Sequence, residues 1–292
     1  MYYMTGGQEF YARLSKARED QDIAALGAFY HPDAVSISLS TGQVFSGRQA
    51  IVDAFARTFQ AAGVISSKSV ESLVEAAGTV CVEATFTTRS GQIQTYDIYL
   101  LQAGMIKQHV SGLISPHPPV GQGRVQQWPQ TNGWAFFHYL RTAAEARDFV
   151  ILAGLHHADA VSVGCSLNHS LSGREAIVNS AKQFAANGGY LKLKSIEAFA
   201  ESSEIICLES VQTLEITSTR AGSAQIDLLN YAVWVVHAGR IQRHFSGYIS
   251  PRGPDLQRAI QRETERLLEK EKDIHGTIMD AWRSRLYPRR WW

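Results

Sequence analysis

The chain has no charge excess, no long apolar run and no usable cysteine pattern. Its 28 Lys+Arg stand against 27 Asp+Glu. That balance argues against nucleic acid as a main partner, because a surface that tracks phosphates needs a basic surplus. Nowhere do about 18 apolar residues run together, so no spanning helix is expected. The opening MYYMTGGQEF lacks the basic-then-apolar order of a secretory signal. Three cysteines, Cys81, Cys165 and Cys207, are odd in number and show no metal-ligand spacing. A reduced, soluble, cytoplasmic protein without a bound metal or cofactor is the expectation. What the sequence does contain, in 292 residues, is room for about two domains.

Comparison of the chain with itself shows that the two are copies. At an offset of 126, residues 10–53 match residues 136–179 at 18 of 44 positions. The clearest blocks are His31-x-Asp33-Ala-Val-Ser36 against His157-x-Asp159-Ala-Val-Ser162, and SGRQAIV against SGREAIV. Further on the offset is 135, where His109-Val-Ser-Gly-Leu-Ile-Ser-Pro116 matches His244-Phe-Ser-Gly-Tyr-Ile-Ser-Pro251. The nine extra residues fall between Thr213 and Tyr231, where a longer hairpin absorbs them. The implied division is a first domain over 1–114, a Pro/Gly/Gln-rich linker over 115–133, a second domain over 134–251 and a tail over 252–292.

Each copy opens with helical spacing (Phe10, Leu14, Ala17, then Ile23, Leu26, Phe29) and a short strand over 35–39. A second helix follows a capping box, Ser46-x-x-Gln49 or Ser172-x-x-Glu175. Four strands close the copy, at roughly 67–77, 79–89, 92–102 and 105–114. Helices first and antiparallel strands last define an α+β domain. A three-residue loop at Gln102-Ala-Gly104 sets Asp97 opposite His109 and Tyr99 opposite Lys107. One face then carries Asp97, Tyr99, Leu101, His109, Ser111 and Leu113. The other, Tyr96, Ile98, Leu100, Ile106, Val110 and Ile114, is almost wholly apolar and needs a second sheet to cover it. The second copy repeats that pattern, so an intramolecular pseudo-dimer is expected.

"YHPDAV", "SGRQAIV" and "AGMIKQHVSG", in this order, resemble the SnoaL-like polyketide cyclases of the nuclear transport factor-like superfamily. The resemblance covers about 105 residues of each copy. It implies two cone-shaped α+β barrels, each a curved sheet wrapped on helices around an apolar pocket. It also implies a cofactor-independent isomerase, cyclase or lyase acting on a bulky hydrophobic molecule, though the superfamily equally includes binding and assembly proteins. By the same resemblance, Asp97 matches the strand position where steroid isomerases carry an oxyanion-hole Asp. Their catalytic Asp is replaced by Ser38, and their oxyanion Tyr by Leu14, with Tyr11 and Tyr30 nearby. The Asp that SnoaL-like chains often place two residues after the last-strand His is Ser111 here and Ser246 in the second copy.

The candidate catalytic set is therefore His109, Asp97 and Tyr99, since a carboxylate beside an imidazole fixes its tautomer and favours its charged form. Tyr11, Tyr30, Ser38, Leu101, Ser111 and Leu113 are candidate ligand contacts in the first pocket, and Trp234, His244 and Tyr248 in the second. The second copy has Ala232 where the first has Asp97, so it lacks the dyad and reads as structural or accessory. His31, Asp33, His157 and Asp159 read as local caps, Arg48 and Arg174 as solvated or ion-paired, and Cys81 and Cys207 as core thiols. Residues 254–286 read as one long helix, a candidate for pairing with another chain in a homo-oligomer. After Asp280 the terminus carries four arginines among tryptophans, a composition that suits a membrane surface or docking on protein.

Overall fold

The computed structural model describes residues 6–114, 131–218 and 222–250, together with Arg258 and Arg262. The first domain runs α1 (Gly6–Glu19), α2 (Ile23–Ala28), β1 (Tyr30–Ser38), β2 (Gln43–Ser46), α3 (Arg48–Ala62), β3 (Ser66–Ala76), β4 (Thr79–Thr88), β5 (Gly91–Gln102) and β6 (Met105–Ile114). The second repeats it: α4 (Asn132–Glu145), α5 (Phe149–Gly154), β7 (His156–Gly164), β8 (His169–Ser172), α6 (Arg174–Ala186), β9 (Gly189–Glu201), β10 (Ile205–Ser218), β11 (Gly222–His237) and β12 (Arg240–Ser250). Each copy folds into a six-stranded sheet, in the orders β2-β1-β6-β5-β4-β3 and β8-β7-β12-β11-β10-β9. The first strand of each copy pairs parallel with the last, and the helices pack on the sheet's inner face. The architecture is the expected α+β one, twice. The extra residues of the second copy lengthen the β10–β11 hairpin, as the offsets imply.

Local chemistry explains the repeated motifs. The first helical stretch breaks at Gln21, which takes a left-handed φ of 54°, and Asp22 caps the restart by accepting from Ala25 N. Arg147 and Asp148 do the same in the second copy. The SGR block is not a capping box. Ser46 ends β2, and the N-cap is Gly47 at φ 86°, with no side-chain cap. Gly173 matches it at φ 89°. Only glycine takes this conformation without strain. The arginine that follows is a clasp: Arg48 Nε donates to Tyr30 O at 2.7 Å, and Arg174 Nε to His156 O at 2.9 Å. Arg48 and Arg174 are thus tied to backbone, where the sequence suggested solvent or an ion pair.

The two sheets meet on their smooth faces. One core combines Tyr96, Ile98, Leu100, Val110 and Ile114 with Tyr231, Val233, Val235, Phe245 and Ile249. Tyr96 and Tyr231 stack at its centre, 3.9 Å between centroids and 7° from parallel. Their hydroxyls cross over: Tyr96 donates to Glu209 at 2.7 Å and Tyr231 to Glu83 at 2.9 Å. Gly112 and Gly247, the glycines of HVSG and HFSG, lie directly across from these tyrosines, and a Cβ at either would overlap the ring. Cys81, Cys165 and Cys207 are free and buried in this same core. The pseudo-dimer expected from the sequence is the observed arrangement.

One part of the hairpin differs from expectation. The β5–β6 loop has two residues, Ala103 (φ 50°) and Gly104 (φ 78°), so Gln102 pairs with Met105. A bulge at Lys107 follows, after which Tyr99 pairs with His109 and Asp97 with Ser111. Between turn and bulge the faces are reversed, which puts Ile106 in the interior of the first cone instead of the smooth face. Ile241 turns inward in the second copy by the same device.

The last three residues assigned to the linker belong to the second domain. Thr131 caps α4, which starts at Asn132. Residues 115–130 and, apart from Arg258 and Arg262, the tail from 251 onward lie outside the described residues. So do the long C-terminal helix and the Arg/Trp terminus expected there.

Candidate functional site

The interior of the first cone is apolar apart from a connected polar group around His109 and the buried hydroxyls of Tyr11 and Ser15 on α1. Phe10, Leu14, Leu26, Ile51, Phe59, Val82, Phe86 and Ile106 form its wall. Asp97 and His109, each 5% exposed, sit inside it on β5 and β6. Though not directly opposed, they are diagonal neighbours on one face, and His109 Nε2 lies 2.9 Å from Asp97 Oδ1. Asp97 Oδ2 accepts from Thr95 Oγ1 at 2.9 Å. Burial works against the Asp97 charge, but the His109 hydrogen bond and the nearby Arg18 guanidinium outweigh it and hold the carboxyl below its usual range.

An ionised carboxylate only accepts, so Nε2 of neutral His109 carries the proton and Nδ1 presents its lone pair. Two hydroxyls reach that lone pair: Tyr30 at 3.1 Å and Ser36 at 3.2 Å. The result is a chain, Tyr30–His109–Asp97, that can pass a proton along its length. Tyr99 stacks on the imidazole, 4.6 Å between centroids and 21° from parallel, and accepts from Arg18 Nη2 at 3.0 Å. It holds the ring in place. Burial, opposed by Arg18, pushes the Tyr30 phenol well above its usual range, so Tyr30 stays a donor at neutral pH.

The other candidates scatter. Ser38 and Ser111 pair with each other across β1 and β6, both half-buried, further along the sheet from His109. Leu101 packs against the wall, half-buried, and Leu113 is 47% exposed. Tyr11 lies inside the cone on α1, 4% exposed. The residues that sequence reading missed are Ser36, Thr95 and Arg18. Ser36 had a signal, because it recurs as Ser162, whose Oγ lies 3.0 Å from His244 Nδ1. Outside the site, Lys107 and His31 bond Asp33 and hold its carboxyl at about 2 on the exposed surface.

The second cone keeps the histidine and loses its partners. Ala232, Trp234, Ala144, Phe137 and His156 stand where the first has Asp97, Tyr99, Arg18, Tyr11 and Tyr30. Trp234 stacks on His244 at 5.4 Å and packs with Phe137 and Ile206. Burial pushes His244 down to about 4, helped by His156, so it is neutral near pH 7. Tyr248 is half-buried, and its backbone N donates to Ser166 Oγ at 2.7 Å. A groove of about 610 Å³ opens beside the start of α4, lined by Thr131, Phe136, Glu201, Glu204 and Val236, and it shares no residue with the first cone. Among the described residues, no group of three or more His, Cys, Asp or Glu converges as metal ligands would, and no helix is long and apolar enough to cross a membrane.

Residues 8–109 match the family model of the SnoaL-like domain. The matched residues are therefore a SnoaL-like domain, and the second sheet repeats its strand order. Among solved structures, an M. tuberculosis LEH-like epoxide hydrolase is similar at 15% identity and a TM-score of 0.39, over 48% of this chain and 98% of that one. A protein from Shewanella putrefaciens CN-32, described as a SnoaL-like polyketide cyclase, is similar at 10% identity and 0.39, over 47% and 98%. A protein of ketosteroid isomerase-like fold from Catenulispora acidiphila DSM 44928 is similar at 16% and 0.33, over 35% and 83%. No curated protein matches the chain in sequence.

Proposed function

We propose that the first domain is a cofactor-independent acid–base enzyme, an isomerase, cyclase or lyase, acting on a bulky, mostly apolar carbonyl compound. His109 moves the proton, Asp97 fixes its tautomer and balances the imidazolium, and Tyr30 extends the path to Nδ1. Proton removal beside a carbonyl, with the enolate held by hydrogen-bond donors, is the step this set suits.

One observation carries the reading. Burying Asp97, His109, Tyr30 and Arg18 in an apolar wall costs stability, and the second domain builds the same fold with alanine in place of Asp97 and Arg18, at Ala232 and Ala144. The fold does not require the polar group.

The test is deuterium uptake in D2O from a panel of enolisable bicyclic ketones, followed by NMR. The full chain should exchange a substrate proton, His109→Ala should slow exchange about 100-fold or more, and His244→Ala should not. Equal rates in all three would end the enzyme reading. Saturable binding without exchange would favour the alternative, a non-catalytic binder of hydrophobic ligands, which the closed interior also suits. A scaffold acting through the tail would lose assembly, and keep exchange, when residues 252–292 are removed.

A further inference from the structure

Three donor groups in the first cone have nothing to donate to. Among the described residues, the Tyr11 hydroxyl, the Ser15 hydroxyl and Arg18 Nε are buried without a partner at hydrogen-bond geometry. They stand four and three residues apart on α1, which puts them in one stripe on its inner face. All are nearly closed off: Tyr11 is 4%, Ser15 9% and Arg18 7% exposed. The two hydroxyls are close enough to act on each other. Pairing them would use one hydrogen and leave the other, together with the Arg18 Nε–H.

Arg18 is unusual in a second way. Among the described residues its guanidinium is in no ion pair, and the carboxylate nearest in the network, Asp97, is taken by His109 and Thr95. Its remaining contacts are Tyr99 Oη at 3.0 Å and the Phe86 ring, 4.9 Å away. The Arg18 Nε–H and the hydroxyl hydrogen left over from a Tyr11–Ser15 pair are buried without acceptors, and each carries a desolvation cost. The second domain has no such stripe: Phe137 and Ala144 replace Tyr11 and Arg18, and Arg141, in the place of Ser15, leaves one buried Nε–H without a partner but is half-exposed and paired with Glu145.

We infer that this stripe is an anion subsite: the molecule taken by the first cone is an apolar acid whose carboxylate accepts from Tyr11, Ser15 and Arg18. Two carboxylate oxygens match three donors set along one helix face, and a guanidinium shielded from water favours an anion over a neutral carbonyl. The apolar body then lies along the wall toward His109. The inference rests on the first cone being the ligand chamber proposed above, and it narrows the substrate from any apolar carbonyl compound to one bearing an acidic group.

The experiment is calorimetric titration of the full chain with acetate, benzoate and 2-naphthoate, and with the matching amides. At least one carboxylate of the series should bind tenfold or more tighter than its amide. Arg18→Met should abolish that preference while leaving the affinity for the amide within about twofold. A merely structural arginine would, when replaced, weaken acid and amide alike. Tyr11→Phe and Ser15→Ala should each reduce the preference several-fold, which keeps the inference testable if the arginine variant does not fold. Equal binding of acid and amide, binding of neither, or a preference that survives Arg18→Met would overturn it. Proton exchange without a carboxylate preference would sink the subsite and leave the enzyme reading standing. A preference without exchange would do the reverse.

Discussion

His109 and His244 occupy one position in two copies of one fold, and their neighbours decide what each can do. Beside His109 stands a carboxylate, joined to it by a 2.9 Å hydrogen bond. Asp97 is held below its ordinary value of 3.8, so the folded state prefers the ionised form. That contribution to stability is complete above the unfolded value and is lost as pH falls through the folded one. Asp97→Asn should therefore flatten the fall of the urea midpoint below about pH 4, relative to the parent chain, and slow turnover by at least about tenfold. An unchanged acid limb would contradict the Asp97 assignment. His244 has the opposite sign and another window. Its ordinary value is 6.5 and burial takes it to about 4, so the unfolded chain gains a proton first as pH falls. Stability is whole above 6.5 and erodes by about 3 kcal/mol by pH 4. His244→Asn, which keeps a partner for Ser162, should remove that slope in denaturant titrations across the interval. Arg18 marks the limit of reading single residues: in the sequence it is one more helical arginine, and its burial is set by strands some eighty residues away.

At the scale of elements, the β5–β6 hairpin shows how a site can be legible while its register is not. Ala-Gly is a poor advertisement for a two-residue turn, because alanine rarely takes a left-handed φ, yet Ala103 does so here at 50°. A three-residue loop misplaces the turn by one residue, and the unannounced bulge at Lys107 misplaces it by one more. Two single-residue slips restore parity, so Asp97, Tyr99 and His109 still share a face. Only the stretch between turn and bulge is inverted, as Ile106 shows. The SGR block misled for a different reason. Its serine and glutamine or glutamate have capping-box spacing, but the glycine takes the cap, and the arginine reaches back to the chain 18 residues earlier. The glycine of HVSG makes its own prediction. A methyl group at Gly112 would enter the Tyr96 ring, so Gly112→Ala should cost about 1–3 kcal/mol in thermal or urea unfolding, and Gly247→Ala a similar amount. In a Tyr96→Leu background the penalty at 112 should largely vanish. A constant penalty would show that the ring is not its cause.

For the molecule as a whole, the face between the sheets was readable as apolar, and its polar centre was not. Nothing in Glu83 or Glu209 announces that each accepts from a tyrosine of the other domain. Such pairings join residues over a hundred positions apart, beyond the reach of any local pattern. Removing one hydroxyl by Tyr231→Phe should cost about 1–3 kcal/mol, since Glu83 stays buried with one donor fewer. A fragment of residues 1–133 should self-associate or aggregate in light scattering, because Tyr96, Ile98, Leu100, Val110 and Ile114 lose their cover. A stable monomer would mean that the first domain does not need the second.

The crossed tyrosines also set a stoichiometry. In a dimer of identical chains, every substitution appears twice, and both cavities gain or lose a group together. Tethered end to end and locked by Tyr96 and Tyr231, the two halves of this chain are free to diverge. One carries Asp97, Arg18 and Tyr30 around its histidine, while the other has Ala232, Ala144 and His156 in their places. If the first domain is the enzyme proposed above, active-site titration should count one equivalent per chain, with the second half serving as a built-in wall.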